Sequence, residues 1–485
     1  MTFKPTEEQE NIVSLFEQHG KIKVSARSGA GKTSSLRYLT SQNPDKKFLY
    51  LAFNRSMAEE AASKMPDNTS VMTTHSLAYR AVGKDYAHKL TRPAGRYVNV
   101  AGTGREIALY YGIQDIKGGG DKKLTKAFIG LIVRDTVNSF ERSASRELED
   151  WHIPKYHIKD VEKRFNVNAT AFKKEVMKLA KLLWKDRSDG DSIVLATHDT
   201  YLKLYHLSNP DFSQWDTILL DESQDSSDII IDLFKDCPSF VAVGDNFQAI
   251  YAFRGAVNAM EKMNIPEATL TKSFRFGESI AKVASGIIRS PLYGAEWVDS
   301  KVGEIDFDKQ YTIIYRKNLT LISEAVDRIL DGENVYLNID VKDFISLISS
   351  AKSLRDGKLK GVKHDSIIPY STWGELVRDS RDEPTLKRLV KIINDEHEDE
   401  ILHTLGNSCS DITKADVVMT TAHKSKGLEY NQVIVADDFL MFDKDGGITN
   451  DQQEINLLYV AITRAKYAVM FGEEVESFLM LSNKA

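Results

Sequence analysis

Ala26-Arg27-Ser28-Gly29-Ala30-Gly31-Lys32-Thr33 is the segment of this chain that is most informative about its fold. It follows an apolar run, Lys21 to Ser25, that predicts a buried strand, and it precedes a helical run, Ser34 to Thr40. A loop of small residues between a strand and a helix is the setting of a P-loop, whose backbone N–H groups surround a phosphate at the helix N-terminus. Ala26 replaces the glycine that usually opens this pattern, and a side chain this small still permits the turn. The stretch therefore predicts a phosphate-binding loop.

The residue types in and after the loop specify a chemistry. Lys32 would reach the β and γ phosphates of a nucleotide, and the Thr33 hydroxyl would hold Mg²⁺. Further along, the apolar run Thr217 to Leu220 leads into Asp221, which would hold the same ion, and Glu222, which would polarise the attacking water. An Asp-Glu pair is more often a solvated turn, but its place after an apolar strand favours the catalytic interpretation. Phosphoryl transfer also needs positive charge at the γ phosphate, which predicts an arginine from another part of the chain.

Apolar runs bounded by turn residues alternate with helical patterns and predict short buried strands. They are Lys21 to Ala26, Phe48 to Phe53, Thr217 to Leu220, Phe240 to Val243, Tyr311 to Tyr315, Asp416 to Thr420, Gln432 to Ala436 and Ala468 to Phe471. Strands separated by helices indicate βαβ units and parallel sheets, so the predicted class is α/β. The strands form two clusters, which predict two lobes, each interrupted by a mainly helical insertion. The predicted bounds are 1–80 and 191–267 for the first lobe, 81–190 for its insertion, 268–350 and 413–485 for the second lobe, and 351–412 for a reduced second insertion.

Composition excludes several classes of protein. The chain has 485 residues, of which 42% are hydrophobic and 28% are charged, and these values exclude disorder throughout. No apolar run has the length of a signal peptide or a membrane span, and two cysteines, Cys237 and Cys409, cannot form a disulfide framework. We therefore expect a cytoplasmic protein with reduced thiols and no membrane partner.

Charge is distributed unevenly along the chain. The net charge of −6 argues against a polycation that coats nucleic acid. Residues 117–187 nevertheless carry 17 Lys and Arg against 10 Asp and Glu, so this stretch has a charge of +7 and the rest of the chain −13. Such a stretch fits either a basic surface for a polyanion or a solvated helical surface, and charge alone gives the two about equal weight.

Further segments stand in order along both clusters. They are Thr6-Glu7-Glu8-Gln9, Leu51 to Ala58, Thr73-Thr74-His75-Ser76-Leu77, Val243 to Ala256, Ser273-Phe274-Arg275, Thr420 to Glu429 and Leu458 to Ala465. Together with the loop and the Asp-Glu pair, they resemble the motifs of superfamily 1 DNA helicases of the UvrD/Rep type. The resemblance implies two RecA-like parallel-sheet P-loop lobes, and it covers both lobes but neither insertion. The short second insertion looks more like the compact F-box-helicase branch of this family.

The resemblance implies a role for each matching residue at an ATP·Mg²⁺ site. Gln9 would read the adenine edge, Phe274 would stack on the base and Glu429 would bind the sugar. The loop residues would line the phosphates: Ala26, Arg27, Ser28, Gly29, Ala30, Gly31, Lys32, Thr33 and Ser34.

Three more residues would act at the γ phosphate in this resemblance. Gln248 would sense it from the first lobe, while Arg275 and Arg464 would reach it from the second, with Arg464 as the arginine finger. Taken singly, either arginine would more often form a surface salt bridge. Their occurrence in the family's order favours the functional interpretation.

Single-stranded DNA is the partner that the resemblance implies, together with single-strand/duplex junctions. Single strands are held by phosphate contacts and by aromatic faces on which bases stack. The residues that would lie along the strand are Phe53, Asn54, Thr74, His75, Tyr251, Phe253, Arg254 and His423. Without the resemblance, each of these aromatic residues would more often belong to the core.

The predicted activity is ATP-driven movement on single-stranded DNA with duplex unwinding, and the resemblance implies 3′ to 5′ polarity. A DNA-dependent ATPase switch that loads or displaces protein partners with little unwinding is the alternative, which the reduced second insertion keeps open. An ordinary P-loop kinase is disfavoured, because it would leave Arg275 and Arg464 without a role.

Overall fold

The computed structural model describes residues 4–91, 100–119, 122–251, 259–380, 384–395, 401, 403–405, 408–442 and 447–482. Its strands, numbered in chain order, are β1 Lys21–Ala26, β2 Phe48–Ala52, β3 Thr69–Thr73, β4 Ile116–Lys117, β5 Lys123–Leu124, β6 Thr217–Leu220, β7 Phe240–Gly244, β8 Glu267–Leu270, β9 Lys301–Val302, β10 Tyr311–Tyr315, β11 Val335–Asn338, β12 Val417–Thr421, β13 Tyr430–Val435 and β14 Ala465–Phe471.

Helices connect these strands. Their bounds are Glu7–His19, Lys32–Gln42, Arg55–Ala62, Thr74–Ala81, Gly104–Tyr110, Lys126–Arg142, Lys155–Phe165, Ala169–Ser188, His198–Leu207, Asp228–Phe234, Ala259–Lys262, Glu278–Ile288, Asn318–Leu330, Val341–Arg355, Trp373–Asp379, Pro384–Asn394, Ala422–Ser425, Gln452–Ile462 and Glu473–Ser482. Within the described ranges, no helix combines the length and the apolar character needed to cross a lipid bilayer.

The first lobe is built on a six-stranded parallel sheet in the order β3-β2-β6-β7-β1-β8. Strands β2, β6 and β7 are buried at every position, because helices cover both faces of a parallel sheet. The carboxyl ends of β1, β6 and β7 therefore meet at one edge. That edge carries the predicted phosphate loop, the Asp-Glu pair and the segment that starts at Val243.

The second lobe repeats this plan with a six-stranded parallel sheet in the order β11-β12-β10-β13-β14-β9. Strands β10 and β12 are buried at every position. The two sheets confirm the predicted α/β class with two parallel-sheet lobes.

Two elements cross the predicted domain bounds. Strand β8 pairs with β1 from Lys23↔Glu267 to Ala26↔Leu270, so the first sheet extends past the bound drawn after residue 267. The helix Val341–Arg355 runs across the bound drawn after residue 350. Strand β8 alternates exposed and buried residues at the edge of its sheet, so it lacks the continuous apolar run that marks a central strand.

Both predicted insertions are mainly helical among their described residues, and they contact each other. Arg134 Nη2 lies 2.8 Å from Asp365 Oδ2, and Arg164 Nη2 lies 3.0 Å from Asp379 Oδ2. These ion pairs join the long helices of the first insertion to the short second insertion.

Candidate functional site

The loop between β1 and the helix Lys32–Gln42 has a backbone conformation that depends on its glycines. Gly29 and Gly31 have φ values of 73° and 79°, in the left-handed region that other residues rarely adopt. A Cβ on Gly29 would lie 2.5 Å from Ser273 Oγ and 2.7 Å from Arg275 Cβ. Glycine is required here because the segment that leads to the second lobe packs directly on the loop.

Lys32 lies among buried carboxylates at the edge of the first sheet. Its Nζ is 2.5 Å from Glu222 Oε1, and both side chains are largely buried. Burial by itself would lower the pKa of Lys32, but Glu222 and Asp221 outweigh it, and the pKa is raised. Lys32 is therefore held fully charged, paired with the carboxylate that was predicted to polarise water.

The Asp-Glu pair has an unusual backbone. Glu222 has a φ of 50°, which is uncommon for a residue with a side chain and is typical of functional sites. Burial raises the pKa of Asp221, with Glu222 adding to the effect, whereas Lys32 holds the pKa of Glu222 below its usual range against the cost of burial. Two adjacent carboxylates thus have opposite tendencies to take up a proton.

Tyr50, on β2, joins the two predicted metal ligands. Its Oη donates to Asp221 Oδ2 at 2.5 Å, and the nearby Thr33 side chain opposes the rise in the Tyr50 pKa that burial causes. Sequence reasoning missed Tyr50 because it lies in the middle of an apolar strand and reads as core. Its hydroxyl marks the point where Thr33 and Asp221 approach each other.

The residues around Thr33 and Asp221 fit Mg²⁺. Magnesium takes oxygen ligands and is usually held by one or two protein groups, with phosphate oxygens and water completing its shell. In the described part of the chain, no group of three or more His, Cys, Asp or Glu side chains could hold a metal ion by itself. Burial raises the pKa values of Asp221 and Asp245, and a divalent cation bound with a phosphate would stabilise the charged form of both carboxylates.

Arg464 reaches the loop from the second lobe. It is 1% exposed, and its Nη2 donates to Ser28 Oγ at 3.1 Å and to Gln248 Oε1 at 3.5 Å. Burial lowers its pKa to about 9, and the nearby charge of Arg275 contributes. The hydrogen bonds of the Arg464 guanidinium go to neutral oxygens, and a phosphate would supply an anionic partner.

Arg275 contacts the same serine. Its Nη1 donates to Ser28 Oγ at 2.9 Å and to the carbonyl of Thr463 at 3.0 Å, while its Nε pairs with Glu429 Oε1 at 2.8 Å. The two arginines predicted to reach one phosphate thus converge on one atom of the loop.

Tyr459 is a further contact between the lobes that sequence reasoning missed. Its hydroxyl accepts a hydrogen bond from the backbone N–H of Ser28 at 3.0 Å and donates to Asp245 Oδ2 at 3.1 Å. Gln248 Nε2 donates to the same carboxylate oxygen at 2.8 Å. Tyr459 could have been found from the sequence, because it lies in the quoted segment Leu458 to Ala465, five residues before Arg464.

The predicted base and sugar residues line a cavity of about 440 Å³ beside the loop. Its lining residues are Gly29, Phe274, Arg275, Trp297, Val298, Glu429, Lys466 and Tyr467. Trp297, which the sequence did not single out, stacks on Phe274 with ring centroids 5.9 Å apart. Gln9 is not among these lining residues; its Nε2 lies close to Gly31 of the loop and donates to Ser35 Oγ at 3.0 Å.

The remaining predicted loop residues occupy different surroundings. Ala26 is buried at the end of β1, and Ala30 is buried in the core of the first lobe. Ser34 lies in the first turn of the helix Lys32–Gln42. The Arg27 side chain donates to Ser290 Oγ at 2.7 Å and lies over the Phe247 ring, and its backbone N–H donates to the carbonyl of Leu270 at 2.8 Å, so Arg27 is held by protein partners.

A second group of predicted residues comes together where the lobes meet near β2. Phe53 stacks on Tyr251 with ring centroids 5.9 Å apart and 13° between the planes, and Tyr251 lies 6.1 Å from the His423 ring. Phe53, Tyr251, Thr74 and His75 line a cavity of about 240 Å³. We call these four residues and His423 the aromatic groove.

Of the other residues predicted to contact single-stranded DNA, some bind neighbouring protein groups and some lie outside the described residues. Asn54 caps the helix Arg55–Ala62, since its Oδ1 accepts from Met57 N at 2.9 Å. His75 Nε2 lies 3.1 Å from Asp199 Oδ1, a carboxylate also bound by Arg142 Nε at 2.7 Å. These partners lower the pKa of Asp199 to about 2 in spite of its burial, and sequence reasoning found neither Asp199 nor Arg142. Phe253 and Arg254 lie outside the described residues.

Comparison with known proteins identifies the family of both lobes. The family model of the UvrD/REP helicase N-terminal domain matches residues 5–264, and that of the UvrD-like helicase C-terminal domain matches residues 416–471. F-box DNA helicase 1 of Gallus gallus is 30% identical over 541 aligned residues, which cover 99% of this chain and 50% of that protein. F-box DNA helicase protein 1 of Schizosaccharomyces pombe is 30% identical over 532 residues, covering 98% of this chain and 58% of that protein.

The chain thus spans little more than half the length of these relatives. The first family model alone covers more than half of the chain, and the match confirms the resemblance read from the motifs. This chain belongs to the UvrD/REP helicase family.

Proposed function

We propose that this protein hydrolyses ATP with Mg²⁺ between its two lobes and uses the cycle to move along single-stranded DNA and to unwind duplex DNA at single-strand/duplex junctions. The observation that carries the proposal is the convergence of Arg275 and Arg464 on Ser28 Oγ. It supports a single site shared by both lobes, so that closure of the cleft and hydrolysis depend on each other.

The contact between Lys32 and Glu222 supports an order of events when a triphosphate binds. Lys32 is paired with Glu222, and an arriving triphosphate would attract the Lys32 ammonium to its β and γ oxygens. Release from Lys32 frees the Glu222 carboxylate to accept a proton from the attacking water. Thr33 and Asp221 would hold Mg²⁺, which would supply positive charge for the phosphates during transfer.

Arg464 and Arg275 would stabilise the charge of the transition state from the opposite side. Their guanidinium groups now bind Ser28 Oγ, a neutral acceptor, and a γ phosphate is a stronger partner for them. Gln248, 3.5 Å from Arg464, would report the phosphate to the first lobe.

The aromatic groove would hold the single strand. Phe53 and Tyr251 come from the first lobe and His423 from the second, so opening and closing of the cleft changes the groove. Base stacking on such faces is tolerant of sequence, and phosphate contacts make the binding sensitive to salt. Alternating grip by the two lobes would convert hydrolysis into steps, and the polarity we propose from the family is 3′ to 5′.

The test is ATP hydrolysis with and without short single-stranded DNA, followed by unwinding of duplexes with a 3′ or a 5′ tail. We expect stimulation by DNA and separation of the 3′-tailed duplex, with Lys32→Ala as the inactive control. Hydrolysis that is indifferent to DNA would contradict the proposal. DNA-stimulated hydrolysis that removes a bound protein from the strand without separating duplexes would support the switch instead.

A further inference from the structure

A buried ion pair joins the lobes beside the catalytic pair. Lys426 follows the short helix Ala422–Ser425 of the second lobe, and its Nζ binds Asp225 Oδ2 of the first lobe and the backbone carbonyl of Gln248. The side chains are 9% and 0% exposed. Neither residue was assigned a role by the sequence motifs considered above.

The pair is connected to Glu222 through one side chain. Gln224 Nε2 donates to Glu222 Oε2 at 2.6 Å and to Asp225 Oδ2 at 3.2 Å. Gln224 Oε1 accepts from the backbone N–H of Asp245 at 3.0 Å, which fixes the orientation of the amide. A shift of Asp225 would therefore move the donor that holds the catalytic carboxylate.

The pair is connected to the aromatic groove through Lys426. Its ammonium lies 5.2 Å from the centroid of the Tyr251 ring, which is the ring stacked on Phe53. The Tyr251 hydroxyl donates to the carbonyl of His423 at 3.1 Å, three residues before Lys426. A base that displaces the Tyr251 ring would therefore act on the segment that carries Lys426.

The Asp225 carboxylate is only partly satisfied. Within the described residues, its Oδ1 is buried without a hydrogen-bond partner, and Asp225 lines the same cavity as Phe53 and Tyr251. A buried carboxylate that depends on one cation from the other lobe is sensitive to small relative movements of the lobes. Such a contact has two discrete arrangements, paired and broken, as a coupling element requires.

We propose that Asp225 and Lys426 form a positioning pair that reports occupation of the aromatic groove by single-stranded DNA to Glu222, through Gln224. This inference rests on the proposed function and adds the residues by which DNA stimulates hydrolysis. Neither residue touches the reacting atoms. Strand binding moves Lys426, and the carboxamide of Gln224 transfers that movement to the carboxylate that activates water.

The experiment measures kcat and KM for ATP with and without a short oligodeoxythymidine, and the Kd for that strand. Lys426→Ala should reduce the stimulation ratio by roughly tenfold or more, the range of ordinary coupling between sites. The Kd for the strand and the KM for ATP should remain within about threefold of wild type, since in this proposal the pair positions Glu222 and binds neither ligand. Lys426→Arg, which keeps the charge, should restore most of the stimulation.

Two further variants separate coupling from folding and from local charge. Lys424→Ala removes an exposed lysine from the same segment and should leave the stimulation unchanged. Asp225→Asn should lose stimulation as Lys426→Ala does, and the double variant should lose no more than either alone. Where thermal unfolding shows that Lys426→Ala does not fold, Lys426→Gln removes the charge with a longer side chain and carries the same expectation.

The outcomes separate this inference from the proposed function. Wild-type stimulation that survives in Lys426→Ala or Lys426→Gln would overturn the positioning pair alone. Loss of stimulation together with loss of strand binding would also overturn it, since Lys426 would then be a strand contact. A wild-type protein that DNA does not stimulate would overturn the proposed function, and the coupling with it.

Discussion

The two walls of the cleft between the lobes carry opposite charge. On the wall of the first lobe, the buried Asp221 and the half-buried Glu222 lie around one cation, Lys32. On the opposite wall, Arg464 is buried beside Arg275 with its pKa lowered to about 9, while the pKa of Asp221 is raised. Lys32 balances only part of the acidic charge on the first wall. On the second wall, Glu429 pairs with Arg275 while Arg464 donates to neutral oxygens. A magnesium ion would add a cation to the first wall, and a triphosphate would add an anion to the second. Neither wall alone has the composition of a complete phosphoryl-transfer site.

Removing Lys32, the cation of the first lobe's acidic wall, should have the largest effect on ATP hydrolysis. Lys32→Ala leaves Glu222 without its partner and the phosphates without their ligand, so we expect DNA-stimulated ATP hydrolysis to fall below detection. Strand binding, followed by fluorescence anisotropy, should be largely retained because Lys32 does not line the cavity of the aromatic groove. Lys64→Ala, at an exposed lysine of the same lobe, is the matched control. Retained turnover in Lys32→Ala would contradict the assignment of this wall.

Removing Arg464 from the second lobe's basic wall should have the next largest effect on ATP hydrolysis. Arg464→Ala should lower kcat by roughly 10³-fold, the lower end of what an arginine finger contributes. ATP binding should be weakened far less, because the loop and Lys32 remain. The comparison is with Arg289→Ala, which alters an exposed arginine of the second lobe. If kcat were unchanged, the two walls would not share a substrate.

The tyrosine that joins the walls should have a smaller effect. Tyr459→Phe removes the acceptor for Ser28 N–H and one donor to Asp245, while Gln248 still donates to that carboxylate. A hydrogen bond to a buried charged group contributes about 1.5–3 kcal/mol, so we expect kcat to fall roughly tenfold. Steady-state hydrolysis measures this, with the exposed Tyr110→Phe as the control. Equal rates would show that closure does not use Tyr459.

The smallest effect is expected for a substitution in the aromatic groove, where the affinity for single-stranded DNA would change. Phe53→Ala removes one stacking face, and base stacking contributes about 1–3 kcal/mol per base. Because Phe53 already stacks on Tyr251 without a strand, we expect the lower end, roughly a fivefold rise in Kd for single-stranded DNA. Anisotropy at fixed salt measures the rise, with basal ATP hydrolysis preserved. If Phe53→Ala bound single-stranded DNA as tightly as wild type does, the strand would not stack on Phe53 in the aromatic groove.

The strands that sequence patterns found are those with continuous apolar runs. Strands such as β2, β7, β10 and β12 are buried at every position, so their runs stand out. The strands that were missed in the two large sheets are β3, β8, β9 and β11, and each lies at a sheet edge. Their residues alternate or are exposed, because one side of an edge strand lacks a neighbour.

The candidate site divides in the same way. Lys32, Asp221 and Arg464 were predictable because their chemistry fixes both residue type and position in the chain. Tyr50 and Tyr459 were not, since an aromatic residue within an apolar run reads as core until the structure shows where its hydroxyl points. The left-handed backbone of Glu222 likewise has no signal in the residue type.

The most direct measurement is a structure of this protein with Mg²⁺ and a non-hydrolysable ATP analogue. We expect γ-phosphate oxygens within about 3 Å of both Lys32 Nζ and the Arg464 guanidinium, with Glu222 released from Lys32. A triphosphate bound to the loop while Arg464 remains on Ser28, out of reach of every phosphate oxygen, would contradict a site shared by the two lobes.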